Sequence, residues 1–426
     1  MDRLAEALVD LLGQDNVSLD GAELERLAWD ALRPHRAFLG YDKLEPKPWV
    51  AVRPRSSEQV AAVVRLAAEQ RVPIVAYGGG TGLMGGAVAL RPSIALDMAG
   101  LDQILSISRQ DRTVWTQAGV ILETLEEELN RHGLILGHDP WSLPIASVGG
   151  AISTNGLGYR AAKYGSMGDQ VLGLTAVLAD GSIVKTRPVP TCSTGIDLDR
   201  LLIGGEGCFG IITEAILRVF PQPEKRLLVA YGFSTFEDGF AAICKMFDIG
   251  LQPALLDYGE SYSPPLMKRF LRGLYPQAEE PALYLAFEGF KEEADAQARR
   301  AQSICESFGG RDLGRGEARQ FWDNRHQAAE RYARSRLWRA GERALGWAAG
   351  MKLDFVHVAI PASRVLEYRQ GCHEILARHR VYPLEYGLWC QPELFSVVMA
   401  KMSLGSKGRT TLAMAGAVDE LLTLAQ

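Results

Sequence analysis

The chain has 426 residues, of which 47 % are hydrophobic and 23 % charged, with a formal net charge of −5 at pH 7. That composition belongs to a folded protein long enough for two or three domains and excludes intrinsic disorder. With acids slightly in excess of bases and no long basic run, a small-molecule ligand is expected and a nucleic acid partner is not.

The opening Met1-Asp2-Arg3-Leu4-Ala5-Glu6 carries charge instead of a continuous apolar run, so neither a secretory signal nor a transmembrane segment is expected there, and the location reads as cytoplasmic. Cys192, Cys208, Cys244, Cys305, Cys372 and Cys390 form no C-x-x-C pair, which suits reduced thiols better than a disulfide frame or a zinc site. Leu4, Leu8, Leu11, Leu12, Leu24 and Leu27 recur at helical spacing, so residues 1–48 read as an N-terminal helical segment used for packing. From Trp49 the pattern becomes β-α-β. Val50 to Val52 is a strand, Ser56-Ser57-Glu58 starts a helix that buries Val60, Val63, Val64 and Ala67, and Pro73 to Tyr77 is the second strand.

That strand empties into Gly78 to Gly86, with six glycines in nine positions. Without Cβ atoms the backbone can turn several N–H groups the same way and let an anion approach, a pyrophosphate being the natural guest. A tight turn between strands would need one or two glycines. Gly80, Gly82 and Gly85 match G-x-G-x-x-G, with Asp97 at a ribose-binding distance, but the match misleads. Only Ala87 to Pro92 separates the loop from the strand Ser93 to Leu96, too little for the crossover helix of a nicotinamide-binding unit.

Strands Ile104 to Ile107 and Thr113 to Thr116 come next, then a helix from Ile121 to His132 stopped by Gly133. A second glycine block spans Ser147 to Gly158 and a third Ile203 to Glu214. Between them Val171 to Leu178, Asp180-Gly181 and Ser182 to Val184 signal a hairpin. Three glycine clusters in one region suggest a single extended ligand touched at several points. Beyond Pro223 glycine thins out. Leu227 to Phe233 and Ala282 to Glu288 read as buried strands and Phe236 to Phe247 and Glu292 to Phe308 as helices, an antiparallel sheet backed by helices.

The ordered set of Gly78-Gly79-Gly80-Thr81-Gly82, Asp139-Pro140-Trp141-Ser142, Val148-Gly149-Gly150, Thr154-Asn155-Gly156, Tyr164-Gly165 and Gly204-x-Glu206-Gly207-x-x-Gly210-Ile211-Ile212 resembles the FAD-binding domain of the vanillyl-alcohol oxidase and p-cresol methylhydroxylase (PCMH-type) superfamily. The chain beyond Pro223 resembles the FAD-linked oxidase cap of its glycolate oxidase and D-lactate dehydrogenase branch. The resemblance implies an α+β fold: a two-subdomain PCMH-type FAD-binding domain over 49–223, then an α+β cap, or substrate domain, with an antiparallel sheet over 224–426. It also implies that Gly78, Gly79, Gly80, Thr81, Gly82 and Leu83 hold the FAD pyrophosphate. By the same resemblance Pro140, Ser142, Ser147, Gly149, Gly150, Thr154 and Asn155 lie along the flavin and ribityl chain, and Glu206, Gly207, Ile211 and Ile212 on the adenosine side. Members with covalent flavin place a histidine in or near the first loop. None lies within Gly78 to Gly86, so non-covalent FAD is expected, with His138 as the nearest exception.

In the cap, Phe321-Trp322-Asp323-Asn324-Arg325-His326 and Met351-Lys352-Leu353-Asp354 resemble segments that face the flavin in members acting on 2-hydroxy acids. Arg325 and Lys352 match the cations that hold the substrate carboxylate, a task suited to a guanidinium fork with an ammonium beside it. The implied reaction is oxidation of a small alcohol, most often a 2-hydroxy acid, by hydride transfer to flavin N5, with Tyr386 and Glu385 as candidates for the general base. Two departures qualify the carry-over. The branch's metal-binding H-x-G-D-G-N-x-H segment is replaced by Pro383 to Pro392 without a histidine, and His373 and His379 make a poor pair, so no metal is expected. The chain also ends at Gln426 before the family's closing strand, as a cap truncated at its C-terminus would. A metal-free transferase like alkyl-dihydroxyacetonephosphate synthase and an incomplete FAD-binding protein therefore stand as alternatives. The electron acceptor is left open, and a homodimer is one possible assembly.

Overall fold

The stretch after Trp49 folds as its pattern requires. In the computed structural model, which describes residues 2–31, 47–191, 193, 195–262, 280–334, 351–402 and 407–426, strands β2 (Val50–Val52), β3 (Ile74–Tyr77) and β4 (Ile94–Asp97) run parallel. Between β2 and β3 lies a helix, Ser57–Gln70, whose N-cap Ser56 accepts from the Gln59 N–H and whose Val60, Val63, Val64 and Ala67 are buried. No helix joins β3 to β4, in keeping with the short spacing after Gly86. The N-terminal segment is more than helical packing. After α1 (Asp2–Leu12), strand β1 (Val17–Ser18) pairs antiparallel with β2 and completes the order β1-β2-β4-β3. A two-residue strand is too short to show an alternation in the sequence.

A second, antiparallel sheet contains β5 (Ile104–Ser108), β6 (Thr113–Gln117), β8 (Val171–Val177), β9 (Ile183–Lys185) and β10 (Ile211–Arg218) in the order β5-β6-β10-β8-β9, and β7 (Leu134–Ile135) pairs separately with β11 (Phe220–Pro221). The hairpin read at Asp180-Gly181 joins β8 to β9, with Gly181 at φ +77. One core spans both sheets, from Leu8 and Val60 through Leu96 and Leu129 to Leu217. Each fully buried aliphatic side chain contributes about 1.5 to 3 kcal/mol.

The third sheet holds β12 (Lys225–Gly232), β13 (Leu255–Ser261), β14 (Ala282–Gly289), β15 (Arg311–Asp312), β16 (Met351–Ala359), β17 (Tyr382–Trp389) and β18 (Leu394–Met402), all antiparallel, in the order β15-β12-β14-β13-β17-β18-β16. Period-2 alternation gives it two different faces. On one, Tyr258, Leu285, Tyr386, Phe395 and Val397 pack under helices Phe236–Asp248, Lys291–Ser307, Val365–His379 and Lys407–Leu424. On the other, Ala230, Leu255, Ala282 and Ala286 are covered by Trp322 and Ala318 of helix Arg315–Asn324. This second face looks toward the glycine-rich half of the chain. There Cys390 Sγ reaches Gly158 O and Tyr159 meets Trp389 at a ring distance of 5.7 Å. Among the described residues no helix is long and apolar enough to cross a membrane.

Candidate active site

At Gly78, Gly79, Gly80 and Gly86 the glycine loop is pressed against its neighbours so closely that side chains are excluded. A Cβ on Gly79 would lie 2.0 Å from Ile145 O, and one on Gly78 2.4 Å from Ser147 Oγ. Gly80 sits at φ +64, the left-handed region that favours glycine, and a Cβ there would strike the Tyr77 hydroxyl. A Cβ on Gly86 would lie 2.3 Å from Glu206 Oε2, so the first and third glycine clusters touch. The second joins them. Ser147 caps the short helix Val148–Ser153, and the carbonyls of Ile152 and Ser153 accept from Gly204 N–H and Glu206 N–H at 3.1 and 3.0 Å. Asn155 and Glu206 are held at φ 46 without being glycine, a backbone cost that the surrounding contacts must offset. The three clusters form one continuous cradle, as an extended ligand requires.

Above the cradle, Asp139 gathers side chains from both halves of the chain. Its carboxylate accepts from His326 Nε2 at 2.8 Å and Arg325 Nε at 3.0 Å, and Arg160 Nε lies 3.6 Å away. Burial alone would raise this acid, but the His326 hydrogen bond and the Arg160 and Arg325 charges hold it well below the usual carboxylate range. An ionised carboxylate can only accept, so His326 Nε2 carries a proton, and Nδ1 is the ring nitrogen left to exchange one. Arg325 also donates from Nη1 to Trp322 O and stacks over the Trp322 ring at 3.9 Å, which leaves Nη2 uncommitted among the described residues. Arg160 is tied below to Glu126 Oε1 and Leu136 O at 2.8 and 2.9 Å. Directly after His326 the helix Gln327–Arg334 sends the Tyr332 hydroxyl to Gly80 O at 2.8 Å, joining the cap to the glycine loop.

Residues 48–187 match the FAD binding domain model, and residues 222–398 match the model of the C-terminal domain of FAD linked oxidases. A D-lactate dehydrogenase from Archaeoglobus fulgidus is 30 % identical over 342 residues, 80 % of this chain and 72 % of that protein. The chain belongs to the FAD-linked oxidases. Its matches span 55 to 72 % of the length of the first curated relatives. Among solved structures, an alkyldihydroxyacetonephosphate synthase aligns with TM-score 0.81 and 19 % identity over 100 % of this chain and 80 % of its own. A p-cresol methylhydroxylase with substrate bound aligns with TM-score 0.76 and 18 % identity over 99 % and 87 %. These distant likenesses bear out the PCMH-type fold, and the family makes this an FAD-dependent oxidoreductase acting on CH–OH groups.

FAD fits the cradle: the main chain of the glycine loop offers N–H groups where no Cβ has room at Gly78, Gly79 and Gly80, whereas the first N–H groups of the helix capped by Ser147 are already held by protein acceptors. The individual residues differ in what they offer. Gly78, Gly79, Gly80, Thr81, Gly82 and Leu83 line the loop after β3, while Pro140 and Ser142 form the turn that leads to Ser147. Gly150 beside them is open on the side where Gly149 is not. Gly149 donates to Ala118 O at 2.7 Å, and a Cβ on it would meet the Ala118 methyl at 2.7 Å, so it serves packing. Thr154 Oγ1 bonds back to Gly150 O, and Asn155 Oδ1 accepts from Gly168 N–H. Glu206 and Gly207 form the left-handed turn against the loop. Ile211 is half-buried and Ile212 points into the core, so Ile212 can offer a ligand main chain only.

One expectation for the cap is corrected by the fold. Tyr386 is fully buried on the helix-covered face, stacked with Phe395 and edge-on to Tyr262, and so cannot serve as the base. Glu385, one residue earlier, lies on the opposite face, as strand alternation demands. Lys352 pairs with Lys401 in the β16–β18 register, and its side chain lies outside the described residues. His373 contacts Tyr262 and Tyr386 while His379 bonds Glu420, so the two share no ligand. Sequence reading missed His326 and Asp139. The Arg-His pair at 325 and 326 was visible, but its acidic partner lies 187 positions away.

His138 is 1 % exposed, its Nδ1 has no hydrogen-bond partner among the described residues, and burial pushes its imidazole down to about 4, against the opposing pull of Asp139. The folded state thus refuses a proton that the unfolded chain accepts near pH 6.5. This contribution to stability is complete above pH 6.5 and is lost as pH falls to about 4, amounting to about 3 kcal/mol. In urea unfolding of the holoenzyme, His138→Gln is expected to flatten the pH dependence across that window.

Proposed function

We propose that the chain oxidises a small 2-hydroxy acid with non-covalently bound FAD. The observation that carries the reading is the double hold of Asp139 on Arg325 and His326, which pairs a carboxylate-binding cation with a base. The main chain of Gly78 to Leu83 would hold FAD, and when bound it supplies the two-electron acceptor. Arg325 Nη2 would bind the substrate carboxylate, the stack on Trp322 keeping the fork from turning. His326 Nδ1 would take the hydroxyl proton, and the Asp139 carboxylate stabilises the imidazolium that results. Similarity to a D-lactate dehydrogenase supports the substrate class.

Anaerobic mixing with D-lactate, L-lactate, glycolate and longer 2-hydroxy acids tests the proposal through loss of the oxidised flavin band. At least one is expected to bleach it. His326→Gln should lower kcat about 100-fold with flavin content unchanged, and Arg325→Leu should raise KM for acids while sparing their uncharged alcohol analogues. If every 2-hydroxy acid leaves the flavin oxidised, the proposal fails.

A further inference from the structure

The sheet face that looks toward the cradle has a bare floor. Gly259 of β13 pairs with Gly387 of β17, and Gly387 in turn pairs with Ser396 of β18, so nothing taller than a hydroxymethyl group rises there. The Glu385 carboxyl leans over this floor, since a Cβ on Gly259 would lie 3.3 Å and one on Gly387 3.5 Å from its Oε1. Asp257 and Trp389 face each other across the same pair of strands.

The polar groups around the floor are poorly matched by protein partners among the described residues. Neither the half-buried Glu385 nor the half-buried Asp257 carboxyl accepts a hydrogen bond there in standard geometry. The buried indole N–H of Trp389 is close enough to Asp257 to favour its ionised form, yet it too is outside hydrogen-bonding geometry. A buried donor without an acceptor is rare and costly, so the Trp389 N–H with two half-buried carboxyls beside it points to something that binds. Burial pushes both acids up to about 7, Glu385 also feeling the Asp257 charge, so near neutral pH the pair carries a proton and can both donate and accept. An alcohol has the same double character.

The floor is continuous with the Asp139 centre. Trp389 meets Tyr159 at 5.7 Å between ring centroids. The Tyr159 hydroxyl donates to Arg325 O at 3.2 Å, and its ring lies 6.3 Å from that of His326. A two- or three-carbon acid held at Arg325 would leave Asp257, Glu385 and Trp389 unpartnered. A longer chain carrying hydroxyl groups would satisfy them. We propose that the substrate is a polyhydroxylated 2-hydroxy acid, an aldonate, whose distal hydroxyls bind Asp257, Glu385 and Trp389 over the Gly259–Gly387 floor. The inference rests on the 2-hydroxy-acid reading above and extends it to the far end of the substrate.

The test compares the holoenzyme on D-gluconate, D-lactate and 2-hydroxyhexanoate, the last matching gluconate in length without its distal hydroxyls. Gluconate should exceed 2-hydroxyhexanoate in kcat/KM by about 100-fold or more, because a site that hydrogen-bonds hydroxyls rejects the analogue lacking them. Asp257→Asn and Glu385→Gln should each lower kcat/KM for gluconate about 10-fold while changing that for lactate less than threefold. Gluconate-induced changes in the flavin spectrum should weaken in parallel, with flavin content and circular dichroism unchanged. Preference of the wild type for lactate or 2-hydroxyhexanoate overturns the inference, as does an equal loss on all acids in the variants. Inactivation by a chelator with recovery on adding a divalent metal also overturns it, reassigning the two carboxyls to an ion. Bleaching by D-sorbitol but by no acid would sink the 2-hydroxy-acid reading and leave the hydroxyl-binding floor standing. Bleaching by neither sinks both.

Discussion

Asp139→Ala is expected to cost about 3 to 5 kcal/mol of stability and at least about 1,000-fold in kcat/KM. The stability loss arises because Asp139 is 1 % exposed and its removal leaves the buried Arg160 guanidinium with Glu126 as its hydrogen-bonded acid and Glu288 acting at longer range. The activity loss has a separate origin. Without the carboxylate the proton on His326 is no longer confined to Nε2, and Arg325 loses the contact that fixes Nε. Asp139→Asn separates the two, since the amide fills the same space and still accepts one hydrogen bond but carries no charge. It should retain more of the stability and little of the rate. The acid limb gives a further check. A carboxyl held below its unfolded value contributes stability that is present above about pH 4 and lost as pH falls toward its folded value. Denaturation midpoints measured from pH 6 down to 3 should therefore fall more steeply for the wild type than for Asp139→Asn.

Gly79→Ala is expected to abolish flavin retention. Its Cβ would sit 2.0 Å from Ile145 O and 3.0 Å from Ala146 Cα, and both obstacles are main chain, so no side-chain rotation relieves them. The loop or the 145–146 turn must move, at about 3 kcal/mol or more, and the N–H groups that the cradle offers move with it. Gly82→Ala is the matched control. A Cβ there meets the Asp30 carboxyl at 3.3 Å and no backbone, so most flavin should remain. The flavin-to-protein absorbance ratio after gel filtration distinguishes the two variants. Equal ratios would mean that the loop is not the phosphate cradle.

Much of this architecture was legible because it is written in local composition. A loop of glycines has few uses, and the capped helix after Ser56, the hairpin at Asp180-Gly181 and the strands of the cap each depend on neighbouring residues. Tyr386 could also have been placed correctly. Leu384, Tyr386 and Leu388 alternate with Glu385, Gly387 and Trp389, and that period already assigns the tyrosine to the apolar side. The Asp139 centre was hidden for a different reason. Its members come from a turn in the first half and a helix end in the cap, and no spacing rule connects them until the chain has folded. The bare floor was hidden likewise, because Gly259, Gly387 and Ser396 each look unremarkable alone and acquire meaning through strand register.

The hydrogen bond from the Tyr332 hydroxyl to Gly80 O acts as a latch. A loop fastened by another part of the chain moves outward only when that contact breaks. Cofactor exchange, followed as loss of bound flavin on dilution, is therefore expected to be quickened in Tyr332→Phe.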